Sequence, residues 1–234
     1  MKRIDSRRLR LGIAFASAAV FAVLLIAASQ IGAATEKPPA PSAAPDAAER
    51  LFAGIPQKGP VLGSPRAPLT LVEYADLQCP YCAQWALQTL PVLVEDYVRT
   101  GRLRIVFRGL AFIGPDSELA VKTAIAAGRH GRLWDVVDAL YRAQGAENSG
   151  WVDDELLAEI AGQAHLDYDR LAAERDLPAV ERELAQARRA AAVAGVRGTP
   201  AFALGRTGGP PALLRLSSLA PEGIVPPLEE AQAA

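Results

Sequence analysis

Leu69-Thr70-Leu71-Val72-Glu73-Tyr74 runs through Ala75-Asp76-Leu77-Gln78 into Cys79-Pro80-Tyr81-Cys82, and this stretch decides the fold. Its first six residues are rich in β-formers and read as a strand. The strand ends at the only two cysteines in the chain, and two residues lie between them. A disulfide there closes too small a loop to staple a fold, because the stabilisation grows with loop length. The pair therefore calls for a chemical explanation.

Helix geometry supplies one. With Cys79 as N-cap, Pro80 falls at the first helical position, where a missing N–H costs nothing. The orphan N–H groups and the dipole at a helix start favour a thiolate at Cys79. Cys82 lies one turn further in and reaches the first sulfur. Cys79 is thus the attacking or attacked thiol, and Cys82 resolves the mixed disulfide. Metal binding fits poorly: a zinc site needs four ligands, and only His130 and His165 could join the pair. Ala83 stands where a c-type haem site needs His. An inert buried pair is the bland alternative. The two histidines and Trp85, Trp134 and Trp151 read as structural residues.

Outward from the pair, Cys82 to about Thr100 reads as a helix kinked at Pro91 and stopped by Gly101. Leu103 to Phe107 reads as a second strand. A helical period then dominates from Asp116 to Gly195, with Asp153 or Asp154 capping one helix and Pro178 near the start of another. Ala201 to Leu204 and Leu213 to Leu216 read as late strands joined through Gly205 to Pro211. Glu222 to Ala231 reads as a last helix. This is an α/β domain with a helical insertion at about 116–177.

The chain has 234 residues and a net charge of −1, which conceals a basic start. Residues 1–10 carry a balance of +4, leaving −5 for the rest, so no basic stripe suggests a nucleic-acid partner. The run Leu11 to Ala28 has no charge, and the apolar character reaches Ala34. That length spans a bilayer, and the preceding positive charges orient the C-terminal part outward. The segment 11–34 is expected to be a transmembrane anchor or a cleaved signal peptide; its length favours the anchor. Either places the cysteines outside the cytoplasm, where disulfides persist. Residues 35–58, rich in Pro and Ala, read as a semi-extended tether with one short helical piece, Ala47 to Phe52. Residues 59–234 form the folded domain.

The run Glu73 to Cys82 resembles the active-site entry of thioredoxin-fold proteins of the DsbA-like class. Gly195-Val196-Arg197-Gly198-Thr199-Pro200-Ala201-Phe202 resembles the family's cis-proline segment. The stretch from Gly54 to Pro68 resembles membrane-anchored bacterial members. Together these matches cover about Gly54 to Ala231. The resemblance implies a thioredoxin-like fold with a helical insertion between its βαβ and ββα halves. It also implies a cis Thr199–Pro200 bond packed against the cysteines, and substrate contacts at Thr199, Pro200, Pro80 and Tyr81. Glu73 matches a buried acid that relays a proton for Cys82; a strand-edge surface carboxylate is the alternative. No cofactor or metal is implied. Cysteine-containing exported proteins would be the substrates, and a membrane quinone reductase of DsbB or vitamin K epoxide reductase-like type would reoxidise the pair.

Two departures from the pattern stand out. Tyr81 replaces the His found in the family's strongest oxidants, so no positive charge sits between the cysteines. Ala201 replaces a frequent Thr. Three functions compete: a dithiol oxidase of exported proteins, a reductase or isomerase, and a non-catalytic interaction domain. The short tether speaks against the isomerase, since isomerases of this superfamily usually carry a dimerisation domain there.

Overall fold

The computed structural model describes residues 46–233. The expected basic segment, anchor or signal and most of the tether lie outside them. Among the described residues no helix is long and apolar enough to cross a membrane.

The strand read from Leu69 becomes β3 (Leu69–Asp76), buried along its whole length at the centre of a six-stranded sheet. With β1 (Gln57–Lys58), β2 (Val61–Leu62), β4 (Leu103–Leu110), β5 (Ala201–Arg206) and β6 (Ala212–Leu213), the order is β1-β2-β4-β3-β5-β6. β3 pairs in parallel with β4 and antiparallel with β5. Alternation divides β3 between two cores. Leu69, Leu71 and Ala75 join the larger one, while Val72 and Tyr74 join Val106, Leu110 and Ala203 beneath the alanines of a long helix. That helix, α8 (Pro178–Ala194), places Ala187 and Ala191 on the sheet and ends at Gly195 in the left-handed region.

The helices are α1 (Asp46–Phe52), α2 (Pro80–Gln88), α3 (Leu90–Leu93), α4 (Pro115–Gly128), α5 (Leu133–Arg142), α6 (Asp154–Gln163), α7 (Tyr168–Glu174), α8 and α9 (Pro221–Ala233). α2 and α3 lie between the parallel strands β3 and β4. α4 to α8 separate that βαβ half from β5, β6 and α9. This is the thioredoxin-like α/β fold with added helices that the sequence implied.

Three expectations need correction. The helix expected from Cys82 to Thr100 is broken at Thr89, two residues before Pro91. Pro91 instead occupies the first turn of α3, where its lack of an N–H is harmless. Thr89 Oγ1 donates to Leu219 O at 2.6 Å and anchors the break. Beyond α3, Val94–Val98 forms a π-helical turn, with Arg99 N donating to Val94 O at 2.8 Å. The second correction concerns the tether, whose last part is folded. Phe52 and Ile55 are buried, and Phe52 packs on Trp134 with ring centroids 6.2 Å apart. Gln57 lies in β1 and its side chain donates to Asp135 at 2.8 Å. The short helical piece read at Ala47 to Phe52 is part of α1; the burial of Ile55 and the place of Gln57 in β1 had no local sign, because their partners are distant in sequence. Lastly, the strand expected at Leu213 to Leu216 shrinks to Ala212–Leu213, with one further bond from Leu214 N to Phe202 O at 2.7 Å.

Candidate active site

β3 delivers the chain to the site and Asp76 turns it. Gln78 N donates to Asp76 Oδ1 at 2.9 Å and Cys79 N to Asp76 O at 3.0 Å. Cys79 is the N-cap of α2 in extended conformation, with Pro80 in the first turn. Trp85, fully buried on α2, packs on Phe202 of β5 with ring centroids 4.7 Å apart. This contact brings the helix against the strand that follows Thr199-Pro200.

That junction makes the site. The Thr199–Pro200 peptide bond is cis. Cys79 Sγ lies 3.3 Å from Thr199 O, so the neutral thiol donates to that carbonyl. Both cysteines are free thiols and both are buried, Cys82 completely. Tyr81 lies on the outside, 62% exposed, and Pro80 beside it is also exposed. The structure thus brings Cys79, Cys82 and Thr199-Pro200 together and leaves Pro80 and Tyr81 at the rim.

The two thiols are electrostatic opposites. Cys79 is lowered to about 6, chiefly by a hydrogen bond from the Cys82 thiol; Thr199 and the N–H groups of Cys82 and Tyr81 add to this against the burial that opposes it. The Cys79 side chain makes no capping hydrogen bond of ordinary geometry. The helix-start N–H groups are therefore a weaker influence than the neighbouring thiol. Cys82 is driven far upward by burial, by its hydrogen bond to Cys79 and by the Cys79 charge.

Glu73 lies on β3, the strand that leads into the cysteine loop. It is buried at the larger core, not at a strand edge, and its Oε1 has no hydrogen-bond partner among the described residues. Burial lifts it to about 8, so it holds a proton at neutral pH. Its charge, when present, pushes Cys82 further up.

Sequence reasoning missed a polar cluster behind the cysteines. The Asp76 carboxylate, fully buried, accepts from Phe112 N, Ile113 N and Ser117 Oγ at 2.7, 3.1 and 2.6 Å. Gln78 donates to Ser117 Oγ at 2.9 Å and to Asn148 Oδ1 at 3.2 Å. Gln144 Nε2 donates to Leu77 O at 2.8 Å and Cys79 O at 3.2 Å. A lone Gln or Asn in a loop carries no local pattern. Only the proximity of Asp76 and Gln78 to the cysteines could have flagged the near half of the cluster.

The family model described as Thioredoxin matches residues 56–208, well over half of the chain. The chain belongs to the thioredoxin family. The match begins at Pro56, immediately before β1, in keeping with the folded end of the expected tether. Among thioredoxin-family relatives, "Probable disulfide bond formation protein D" of Bacillus cereus is 29% identical over 158 residues, covering 67% of this chain and 68% of that protein. The Bacillus anthracis protein of the same name is 34% identical over 117 residues, covering 49% of this chain. This chain spans about half, 53%, of that relative's length. The oxidised crystal structure of BdbD from Bacillus subtilis superposes with a TM-score of 0.67 at 20% identity, over 77% of this chain and 98% of that one. The DsbA-like character implied by Glu73 to Cys82 and Gly195 to Phe202 stands.

Proposed function

We propose that this chain is an extracytoplasmic protein disulfide oxidase acting through Cys79 and Cys82. The observation that carries the reading is Cys79 itself: buried at a helix start, 3.3 Å from Thr199 O, and acidified to about 6. A stabilised thiolate stabilises the reduced pair, which makes the oxidised pair a strong acceptor of electrons. The same property disfavours a reductase, whose pair must give electrons up readily.

The exchange runs in two steps. A substrate thiolate attacks Cys79 Sγ of the oxidised pair, forming a mixed disulfide and releasing Cys82 with both electrons of the broken bond. Cys82 strongly favours its neutral form, so a proton must reach it; Glu73, protonated up to about 8, is the donor at hand. A second substrate thiolate then attacks the substrate sulfur of the mixed disulfide. Cys79 leaves as a thiolate, a good leaving group because its pKa is low. The substrate has lost two electrons and the pair has gained them.

Thr199 and Pro200 would line the peptide that carries the substrate cysteine, with backbone groups of Thr199 pairing strand to strand. Pro80 and Tyr81 would form the rim of that contact. Exported proteins with free cysteines are the substrates this chemistry fits. Reoxidation calls for an electron acceptor, for which the DsbA-like resemblance suggests a membrane quinone reductase of DsbB or vitamin K epoxide reductase-like type. The apolar run 11–34 behind its basic flank supports attachment to the membrane beside such a partner.

A glutathione titration of the pair tests the direction of electron flow. Thioredoxin lies at about −270 mV and DsbA at about −120 mV. The expected value is nearer the second; a value at the thioredoxin end would overturn the oxidase reading.

A further inference from the structure

The helical block reaches back to the cysteine loop through two side chains that the exchange chemistry does not use. Gln144 follows α5, and its amide donates to Leu77 O and Cys79 O at 2.8 and 3.2 Å. The Cys79 carbonyl also accepts the first helical bond, from Ala83 N at 3.1 Å. One side chain therefore bridges the residue two before Cys79 and Cys79 itself.

Asn148 fixes the residue between them. Its backbone N donates to Gln78 Oε1 at 2.6 Å, and Gln78 Nε2 returns a bond to Asn148 Oδ1 at 3.2 Å. Asn148 Nδ2 donates to Ile113 O at 3.0 Å, tying in the loop after β4. Asn148 adopts a left-handed conformation, φ 54°, which Asn tolerates better than most residues. Gln78 is buried, so its amide must find partners inside the protein. Leu77, Gln78 and Cys79 are thus each held from the 144–148 segment, some seventy residues away in sequence.

The geometry points to Gln144 and Asn148 as positioning residues for Cys79, holding the cysteine loop so that its sulfur stays within reach of the Cys82 thiol and Thr199. The inference rests on the proposed exchange at Cys79 and names part of its control. Hydrogen bonds to sulfur weaken steeply with distance and angle, so a loop free to drift loses them first. A loop held in place therefore favours a charged Cys79. Neither residue touches the reacting atoms.

The test compares full-length wild type with Gln144→Met, which keeps length and loses the donors, and Asn148→Gly, which keeps the left-handed backbone and loses the side chain. Readouts are the pH profile of Cys79 alkylation and the equilibrium constant with glutathione. Gln144→Met should raise the Cys79 pKa by about one unit, which lowers the equilibrium constant at pH 7 about fivefold, or about 20 mV. Asn148→Gly should shift both in the same direction by less. Ile160→Val, in the core of α6, serves as a control that loses stability without touching the loop, and should move neither readout. If Asn148→Gly and Gln144→Met fold and keep the wild-type profile, or if Ile160→Val shifts it as much, the assignment is overturned. A weakly oxidising wild type would instead overturn the oxidase reading, because the assignment depends only on differences from wild type.

Discussion

Cys79 and Cys82 are three residues apart, yet the rim around the first and the floor beneath the second impose opposite chemistry. Cys79 meets donors: the Cys82 thiol, Thr199 and the start of α2. Cys82 meets apolar burial, the Cys79 charge and the buried Glu73. The rim makes a good leaving group and the floor makes a thiol reluctant to ionise. In the proposed exchange, such an asymmetric pair would set the order of steps: Cys79 takes the attack and Cys82 needs a proton delivered to it.

The comparison breaks most completely at Cys82→Ala. This variant should lose turnover and accumulate mixed disulfides through Cys79, visible as adducts that a reductant releases. Absence of adducts under oxidising conditions would leave neither thiol with an enzymatic role.

Glu73→Gln tests the floor. The release of Cys82 should slow by about 100-fold, the lower range for loss of a positioned acid. Stability offers a second readout, best taken on the disulfide form, where no thiol titrates. The folded carboxyl, at about 8, keeps a proton that the unfolded chain releases at about 4.5. Between those values the folded state binds more protons, so stability falls as pH rises, by up to about 1.4 kcal/mol per pH unit. Urea melts should show a slope in wild type that is shallower in Glu73→Gln, the difference between the two being the Glu73 contribution.

Thr199→Val sharpens the rim. It removes a hydroxyl that helps to acidify Cys79 and should raise that pKa by about one unit, the worth of one modest hydrogen bond. Tyr81→His should act in the opposite direction and by less. Its charge would sit beside the thiolate but in solvent, so a fall of about half a unit that fades with added salt is expected. Alkylation rates across pH measure both.

The parts of this arrangement differ in how openly the sequence displays them. β3, the N-cap position of Cys79 and Pro80 in the first turn follow from local rules, because each depends on neighbours a few residues away. The cis bond before Pro200 was legible only through resemblance; by itself, Thr-Pro reads as a turn. Pro91 announced a disturbed helix, but the break fell at Thr89, where a side chain could bond to the distant Leu219 carbonyl. Of the cluster of Asp76, Gln78, Ser117, Gln144 and Asn148, only the first two, beside the cysteines, had any sign in the sequence, since its bonds join segments about forty to seventy residues apart. Glu73 was legible as an acid near the cysteines, and its burial needed the neighbouring strands.

The folded stretch that replaced the end of the tether bears on how the domain may be cut. Phe52 and Gln57 grip the first turn of α5 at Trp134 and Asp135, and Tyr141 and Gln144 sit at its other end beside the cysteine loop. α5 is ten residues long, about 15 Å, and connects the two. A shortened protein that begins at Gly59 would keep every residue of the redox pair and remove the contacts at the far end of α5. A redox-active fragment should therefore start no later than Asp46.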